Sequence, residues 1–364
     1  MDVFVIGLAM QPASDAIRNE RLEEFVQRTS RSALDDAGVS REEIDHVTLA
    51  ACDELDGRSI TSMLLAAPAG AYLKDEMRVT DSGLAGLQLG CMRIAAGDLH
   101  LGIVASWNQS SIAPVEDIAR MRAEPFYLRP VGLNLGIADG LFANAVAHDL
   151  ALTEHAVGQR VIQRLQSAAS NPRAVRRKPQ SIREINHSEM VAFPLREGHR
   201  APITDGAVSM VLASGEWVRS HPDVKPLARI AASSSAIDSY RLDRQRLSGL
   251  HIFQQCLKDV LARAGLESVN DVDVVELEAQ SGWYDLALTQ ILNAGEDVAV
   301  SPSGGTWAQN PFFCTGLVNA AEAVLQVAGR SGAHQIDGAR RALAHGVAGY
   351  AQQAHGFVLF EGAL

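Results

Sequence analysis

The stretch that decides the fold reads Ser-Pro-Ser-Gly-Gly-Thr-Trp-Ala-Gln-Asn-Pro-Phe-Phe-Cys-Thr-Gly and covers Ser301–Gly316. The apolar segment Asp297–Val300 before it predicts a buried strand, and the apolar segment Leu317–Ala328 after it predicts a helix. Gly304 and Gly305 permit backbone turns that a side chain would block. Connections between a strand and a helix usually have about 2–6 residues. The length of this one therefore favours a functional loop, since α/β proteins often bind ligands at such turns.

The composition predicts a soluble globular protein. The chain has 364 residues, of which 47% are hydrophobic and 21% are charged, which is enough for a large core and two domain-sized halves. A formal net charge of −11 argues against general binding to nucleic acid. The longest apolar candidate, Ile60–Leu73, is interrupted by Pro68 and Gly70, so we expect no membrane span.

The N-terminus and the cysteines predict a cytoplasmic location. The segment Met1–Gly7 has no basic region before its apolar residues, so it is typical of a first core strand and not of a signal peptide. The four cysteines show no paired spacing, which argues against a zinc site or a disulfide framework and favours a reducing compartment. They are Cys52, Cys91, Cys256 and Cys314.

Hydrophobic periodicity predicts the individual elements. A strand is expected at Val3–Leu8, followed by a helix at Leu22–Ala37 that Gly38 ends as a C-cap residue. A short strand at Met77–Thr80 is expected to precede a long apolar helix at Leu84–Ala96.

The order of strands, turns and helices occurs twice along the chain. Three stretches of the first half have counterparts, in the same order, in the second half. The pairs are Leu34–Val39 with Leu261–Leu266, Ser82–Leu84 with Thr315–Leu317, and Asp205–Leu212 with His355–Phe360. Several coincidences in one order indicate an internal duplication. Strands that alternate with helices predict largely parallel sheets covered by helices.

We therefore predict two α/β halves, residues 1–225 and 226–364, with a polar insertion at about 107–203 in the first half. The insertion contains a predicted helix at Glu154–Ser167 and the most basic run of the chain. The cations of that run are Arg173, Arg176, Arg177 and Lys178. Two interpretations stay open, a solvated surface loop or a contact for a phosphate-bearing ligand through guanidinium and ammonium groups.

Four motifs resemble those of the thiolase superfamily, especially its sterol-carrier-protein-type branch. They are Asp205–Leu212 (the Asp-Gly-Ala motif), Ser301–Gly305 (Asn-Pro-Ser-Gly-Gly), Thr315–Leu317 (Ala-Thr-Gly-Leu) and Ala342–Gly346 (the final active-site loop). The resemblance spans nearly the whole chain. It implies a thiolase-like α/β fold, in which two duplicated halves form a five-layered αβαβα arrangement. It also implies a homodimer and an acyl-CoA thioester as substrate, with no bound cofactor.

The resemblance also implies four active-site positions, which this chain fills with unusual residues. The nucleophilic cysteine position holds Thr80, followed by Asp81, and the histidine of the Gly-His-Pro motif is replaced by Asn310. A threonine hydroxyl is a far weaker nucleophile than a thiolate. The neutral amide of Asn310 cannot act as a general base, although it can donate hydrogen bonds to a thioester oxygen.

The other two positions keep titratable groups. The oxyanion-hole position holds Glu278, which would repel an oxyanion when ionised but could donate a hydrogen bond if burial kept it protonated. The last-loop position holds His345, with Tyr350 nearby. Each candidate also has a structural interpretation: His345 as a core-edge histidine bonded to backbone, Tyr350 as packing, and Asp81 as a helix cap.

Three functions stay open from the sequence. The first is an enzyme without a covalent step, in which Asp81, Glu278, His345 and Tyr350 move protons on an acyl-CoA substrate in aldol chemistry or non-covalent acyl transfer. The second is a catalytically degenerate subunit that supports a thiolase-like paralogue or a small OB-fold zinc-binding partner. The third is a module that binds coenzyme A or acyl-carrier thioesters. Its predicted contacts are the basic run together with Ser303, Gly304 and Gly305.

Overall fold

The computed structural model describes residues 2–363, which form twelve strands and twelve α-helices. The strands are β1 (Val3–Met10), β2 (His46–Ala50), β3 (Asp75–Val79), β4 (Leu101–Asn108), β5 (Met190–Ala192), β6 (Leu195–Arg196), β7 (Gly206–Ser214), β8 (Ala228–Ile237), β9 (Val274–Glu276), β10 (Ala299–Val300), β11 (Arg341–Ala348) and β12 (Ala354–Gly362). The helices are α1 (Leu22–Ala37), α2 (Ser62–Leu65), α3 (Gly83–Ala95), α4 (Val115–Arg122), α5 (Leu135–Asp149), α6 (Glu154–Ser170), α7 (Ile182–Asn186), α8 (Gly215–Ser220), α9 (Arg244–Gly249), α10 (His251–Arg263), α11 (Gly282–Leu292) and α12 (Thr315–Val327).

The predicted duplication is present in the sheet topology. Ten strands are hydrogen-bonded in the order β10-β9-β11-β12-β8-β1-β7-β4-β2-β3, and the two halves meet where β1 pairs antiparallel with β8. Counted within each half, both sets of five strands follow the order 3-2-4-5-1. In both sets, strands 2, 3 and 4 run parallel to one another, and strand 5 runs antiparallel to strands 1 and 4. The predicted α/β class with two duplicated halves is therefore confirmed.

Successive side chains along a strand point to opposite faces of the sheet and pack into different cores. On β12, Phe357 and Leu359 pack into the core that contains α10, whereas Val358 and Phe360 face a central core shared with α3 and α12. Helix α1 packs into a third core on the opposite side of the first half. The order from one side to the other is α1, the first-half strands, the α3–α12 pair, the second-half strands and α10.

Local chemistry sets most element boundaries as predicted. Helix α1 has the predicted bounds and ends at Gly38, whose positive φ of 68° suits glycine. Helix α3 begins at Gly83, one residue before the prediction. Strand β10 contains only Ala299–Val300, because Val300 is followed at once by Ser301, whose own φ is positive (49°).

The segment between β4 and β7 is the predicted insertion, and it contains α4, α5, α6, α7 and the β5–β6 hairpin. Its helix α6 packs against α11 of the second half through a buried ion cluster, in which Arg164 and Arg160 both bind Asp285. The insertion therefore contacts the second half as well as the first. The domain limits 1–225 and 226–364 stay a prediction.

No helix within residues 2–363 has the length and apolar character needed to cross a membrane.

Candidate functional site

A cavity of about 340 Å³ lies where the chain leaves β3, β9 and β11 and meets the insertion. Carboxyl ends of parallel strands are the usual place for ligands in α/β proteins. Its polar wall includes Thr80, Asp81, Arg122, Asp139, Glu278 and Tyr350. We call it the central cavity. Four of the six predicted catalytic residues therefore share one cavity, namely Thr80, Asp81, Glu278 and Tyr350.

Thr80 and Asp81 follow β3 and are exposed to the central cavity. Helix α3 is capped by Ser82, whose Oγ accepts a hydrogen bond from the N–H of Ala85 at 3.3 Å. The capping interpretation of Asp81 is therefore wrong, because its neighbour caps the helix. Desolvation raises the pKa of Asp81, and the charge of Arg122 opposes that rise.

Glu278 follows β9 and is buried, with 3% of its surface exposed, yet it lines the central cavity. Its Oε2 accepts a hydrogen bond from the N–H of Val347, and its Oε1 accepts one from Nε2 of Gln280, both at 3.2 Å. Burial raises the pKa of Glu278 to about 8, although these hydrogen bonds lower it. The carboxyl group is therefore largely protonated at neutral pH and can donate a hydrogen bond or a proton.

Asn310 is buried beside the central cavity and does not line it. Its Nδ2 donates to Oε1 of Gln280 at 2.8 Å, and Nε2 of Gln280 donates back to its Oδ1 at 3.2 Å. The same Oδ1 also accepts from the hydroxyl of Thr315 at 2.9 Å. The sequence predicted that Asn310 would donate hydrogen bonds to a thioester oxygen, but its side chain is bonded within the protein, beside the cavity. Gln280 lines the cavity instead, and it donates a hydrogen bond to Glu278.

His345 lies in the core and not in the central cavity. Its Nδ1 accepts from the backbone N–H of Glu278 at 3.3 Å, so its Nε2 carries the proton and donates to Nδ1 of His355 at 2.9 Å. Burial, and next the charge of His355, lower the pKa of His345 well below its usual range. This arrangement corresponds to the structural interpretation of His345, a neutral histidine bonded to backbone. Its predicted catalytic role has no geometric support.

Tyr350 keeps its predicted place in the central cavity, since it follows β11 and lines the wall. Its hydroxyl donates to the carbonyl oxygen of Ala119 on α4. Burial raises the pKa of Tyr350 to about 12, so the phenol stays protonated at neutral pH. Tyr350 thus connects the last loop of the second half to the insertion.

The glycine pair of the Ser301–Gly316 loop packs inside the protein and not against a cavity. A Cβ at Gly304 would lie 2.6 Å from the backbone N of Ala168, so glycine is required for the close approach of α6. Ser303 donates its hydroxyl to Oε2 of buried Glu276 at 2.7 Å. The predicted contact of Ser303, Gly304 and Gly305 with coenzyme A therefore lacks a surface on which to occur.

From this loop, the side chains that reach the central cavity are Phe312 and Phe313. They enlarge its apolar wall, which also includes Val115 and Ile118 of the insertion helix α4. The loop therefore contributes shape to the cavity and not hydrogen bonds.

The basic run divides into two parts. Arg176, Arg177 and Lys178 line two surface cavities of about 210 and 360 Å³, which also share Trp307. Arg173 instead binds buried Glu322, with Nη2 and Oε2 2.7 Å apart. That ion pair neutralises its charge, so Arg173 is unsuited to the predicted ligand contact. We call the other three cations with their cavities the basic groove.

Two residues of the site carry no signal in the sequence. Asp139 of α5 lines the central cavity, and the hydroxyl of Tyr284 donates to its Oδ1 at 2.7 Å. Burial raises the pKa of Asp139 to about 6. Asp139 and Tyr284 lie 145 positions apart in the chain, so no sequence motif connects them. Arg200 is the second residue that no sequence motif identifies. It forms an ion pair with Glu116 and lines both the central cavity and the basic groove.

Within residues 2–363, none of the four cysteines lines the central cavity. Cys314 stands at the start of α12, but it is buried, and burial raises the pKa of its thiol to about 12. Burial also raises the pKa of Cys91 to about 12. In the same residues, no group of three or more His, Cys, Asp and Glu side chains is placed to hold a metal ion.

Known sequences agree with this architecture. Residues 278–361 match the family described as Thiolase C-terminal domain-like. The chain is 24% identical over 375 residues to an acetyl-CoA acetyltransferase of Methanothermobacter thermautotrophicus, with 96% of each protein covered. It is 26% identical over 200 residues to sterol carrier protein 2 of Gallus gallus, which covers 49% of this chain and 36% of that protein.

Solved structures share the whole fold. Human mitochondrial 3-ketoacyl-CoA thiolase superposes with a TM-score of 0.82 at 16% identity, covering 100% of this chain and 99% of that one. An aldolase described as Ltp2-ChsH2(DUF35) superposes with a TM-score of 0.77 at 19% identity, covering 100% and 98%. The partial family match, the similarity along the sequence and the superposed structures together show that this chain has a thiolase-like fold and that its residues 278–361 resemble a thiolase C-terminal domain.

Proposed function

We propose that this protein acts on an acyl-CoA thioester by acid–base chemistry, without a covalent acyl-enzyme. The observation that carries the proposal is Glu278, a largely protonated acid that faces the central cavity with Asp81 and Asp139 as further carboxyl groups. Titratable groups whose environments shift their pKa values by different amounts are the usual basis of acid–base assignments. The resemblance assigns the nucleophile position to Thr80, and within residues 2–363 no cysteine thiol lines the central cavity.

In this mechanism Asp81 takes a proton from the carbon next to the thioester carbonyl. The electron pair of that C–H bond moves toward the carbonyl oxygen, where Glu278 donates its proton or a hydrogen bond. The resulting enol or enolate then attacks an electrophilic carbonyl carbon, whose π electrons move to its oxygen, as in aldol addition. The new alkoxide takes the proton from Asp81, and the reformed thioester carbonyl returns any proton that it took to Glu278; the reverse sequence gives cleavage. Tyr350 and Thr80 add hydroxyl donors to the same cavity.

The first experiment measures exchange of α-protons. We expect the protein in D₂O to catalyse deuterium uptake by acyl-CoA thioesters such as propionyl-CoA and hexanoyl-CoA. Mass spectrometry of the thioester measures the deuterium taken up. The physical reason is that Asp81 and Glu278 both act in this step: Asp81 removes the proton next to the carbonyl, and Glu278 donates to the carbonyl oxygen. A reaction without protein measures spontaneous uptake. Uptake that never exceeds this background, for any thioester that binds, would contradict the proposal.

The basic groove supplies the second prediction. We propose that Arg176 and Lys178 bind phosphates of coenzyme A, because these cations line an open cavity beside Trp307. The double variant Arg176→Ala/Lys178→Ala should bind coenzyme A about 10-fold more weakly, and added salt should reduce the difference. Isothermal titration calorimetry at two salt concentrations measures this.

The matched control for the basic groove is Arg183→Ala, which removes an exposed cation of α7 that lies outside it. The control should bind coenzyme A as the unaltered protein does. Equal losses in the control and in the double variant would show that only the overall charge matters, and the groove would then lose its proposed role.

A second candidate function is a subunit that works only with a partner. It is favoured by the placement of His345 and Asn310, which lie outside the central cavity with their hydrogen bonds made inside the protein. The aldolase described as Ltp2-ChsH2(DUF35) makes a DUF35 partner a reasonable choice to test. Exchange that begins only after such a partner is added would favour this candidate over the first.

We also propose a homodimer through β3. This strand stands at the end of the ten-stranded sheet, and its exposed residues include Met77 at 47%. Apolar side chains of the preceding segment, Tyr72 and Leu73, are exposed at 62% and 84%. A free strand edge beside apolar surface is suited to pairing with a second copy.

A further inference from the structure

Arg122, the last residue of α4, lines the central cavity and is exposed there. Its one hydrogen bond in the described residues runs from Nη1 to Sγ of Cys52 at 3.1 Å. Within residues 2–363 no carboxylate oxygen lies within 4.0 Å of its guanidinium, whereas Arg200, the other arginine of the cavity, pairs with both Glu116 and Glu197. The charge of Arg122 is thus left without a direct counterion.

Cys52 does not supply that counterion. Its thiol donates to Oε2 of Glu54 at 3.1 Å, and burial raises the pKa of Cys52 above its usual range, so the sulfur accepts from Arg122 as a neutral atom. The charges of Glu54 and Asp81 act on Arg122 only from beyond ion-pair distance. A guanidinium held by one neutral contact keeps most of its donors free for a ligand.

The surroundings of Arg122 are suited to an anion that arrives on an apolar chain. Cys52 belongs to a small apolar cluster with Leu55, Val115, Ile118 and Phe313, and these four residues line the central cavity. Apolar walls can contact the methylene groups of an acyl chain while the guanidinium makes charge-assisted hydrogen bonds to a carboxylate at its end. The planar fork of arginine also matches the two oxygens of a carboxylate.

We propose that Arg122 binds a carboxylate at the far end of the substrate's acyl group, so that the preferred substrates are thioesters of dicarboxylic acids. This inference rests on the proposed function, because it assumes that the central cavity receives the acyl part of a coenzyme A thioester. A phosphate of coenzyme A is the other anion that could approach Arg122. The basic groove already offers cations to the phosphates, which leaves Arg122 for the acyl group.

The test compares glutaryl-CoA, hexanoyl-CoA and free coenzyme A by isothermal titration calorimetry with the full chain. The first two have acyl chains of similar length and differ in the terminal carboxylate. We expect glutaryl-CoA to bind the unaltered protein at least about 10-fold more tightly than hexanoyl-CoA. Arg122→Met should remove this preference, so that the two thioesters bind with similar affinity, and Arg122→Lys should restore part of it.

Arg120→Met is the matched control, since Arg120 is an exposed cation of the same helix that does not line the cavity. Arg120→Met should keep the preference for glutaryl-CoA. Equal affinity for the two thioesters in the unaltered protein would overturn the inference and leave the proposed function standing. A loss in Arg122→Met that is the same for all three ligands would also overturn it, because the anion would then be a phosphate. Failure of all three ligands to bind would contradict the proposed function itself.

Discussion

Replacement of Glu278 by glutamine is expected to lower the rate of α-proton exchange about 10²- to 10⁴-fold, the usual contribution of a positioned general acid. The amide keeps the shape of the side chain and can still accept from Val347. It cannot transfer a proton to the thioester oxygen. Deuterium uptake at fixed pH, measured with saturating thioester, gives the size of the effect.

The pH profile of the unaltered protein should follow from the same group. Since burial raises the pKa of Glu278 to about 8 and the protonated form is the active one, activity should fall as pH rises through about 8. The base Asp81 must be ionised, so activity should also fall at the acid end, and desolvation, which raises the pKa of Asp81, moves that decline above the usual range of an aspartate. Glu278→Gln should lose the alkaline decline.

Glu276→Gln is the control for both measurements. Glu276 lies two residues earlier on β9, is buried, and has its pKa raised to about 8 by burial, but it contacts Ser303 and does not line the central cavity. Its replacement should leave exchange and the pH profile close to those of the unaltered protein. A decline at about pH 8 that persists in Glu278→Gln would assign the acid to another group.

Replacement of Asp285 by asparagine is expected to lower the free energy of unfolding by about 3–5 kcal/mol. Asp285 is 2% exposed and binds Arg164 through two hydrogen bonds of 2.7 and 3.0 Å, and it also binds Arg160 at 3.0 Å. The variant would leave two arginine charges near the α6–α11 contact without their carboxylate. Urea denaturation followed by circular dichroism measures the change.

Glu20→Gln provides the comparison for stability. Glu20 pairs with Arg28 at 2.6 Å on the surface, with the side chains 30% and 48% exposed. Exposed ion pairs contribute about 0–1 kcal/mol, so this variant should be nearly as stable as the unaltered protein. If the two variants lost similar amounts, the ion cluster between the insertion and the second half would not be a special source of stability.

The sequence predicted the fold well because the information for it is local and repeated. Hydrophobic periodicity and Gly38 set the bounds of α1, and repeated short motifs indicated two halves whose strands do follow one order. The resemblance assigned Thr80, Asp81 and Glu278 to one active site, and the structure places all three after strands, on the wall of one cavity. Strand ends are local features, so linear sequence can locate them.

Side-chain environment was the part that linear sequence could not supply. Asn310 and His345 stand at positions that the family resemblance assigns to catalysis, yet their hydrogen bonds are made to Gln280 and His355 within the protein. Rotamer and burial depend on neighbours that are distant in the chain. For the same reason Asp139, which Tyr284 holds from 145 positions away, had no motif to identify it.

The sequence alone therefore determined the duplicated α/β fold and the order of its elements, whereas the assignment of unusual residues to catalytic positions stays what the resemblance implies. The Ser301–Gly316 loop was correctly placed between a strand and a helix. Only the tertiary structure decided that its glycine pair packs under α6, while Phe312 and Phe313 face the cavity. It also decided that the pKa of Glu278 is raised, because desolvation is a property of the surrounding atoms and not of the residue itself.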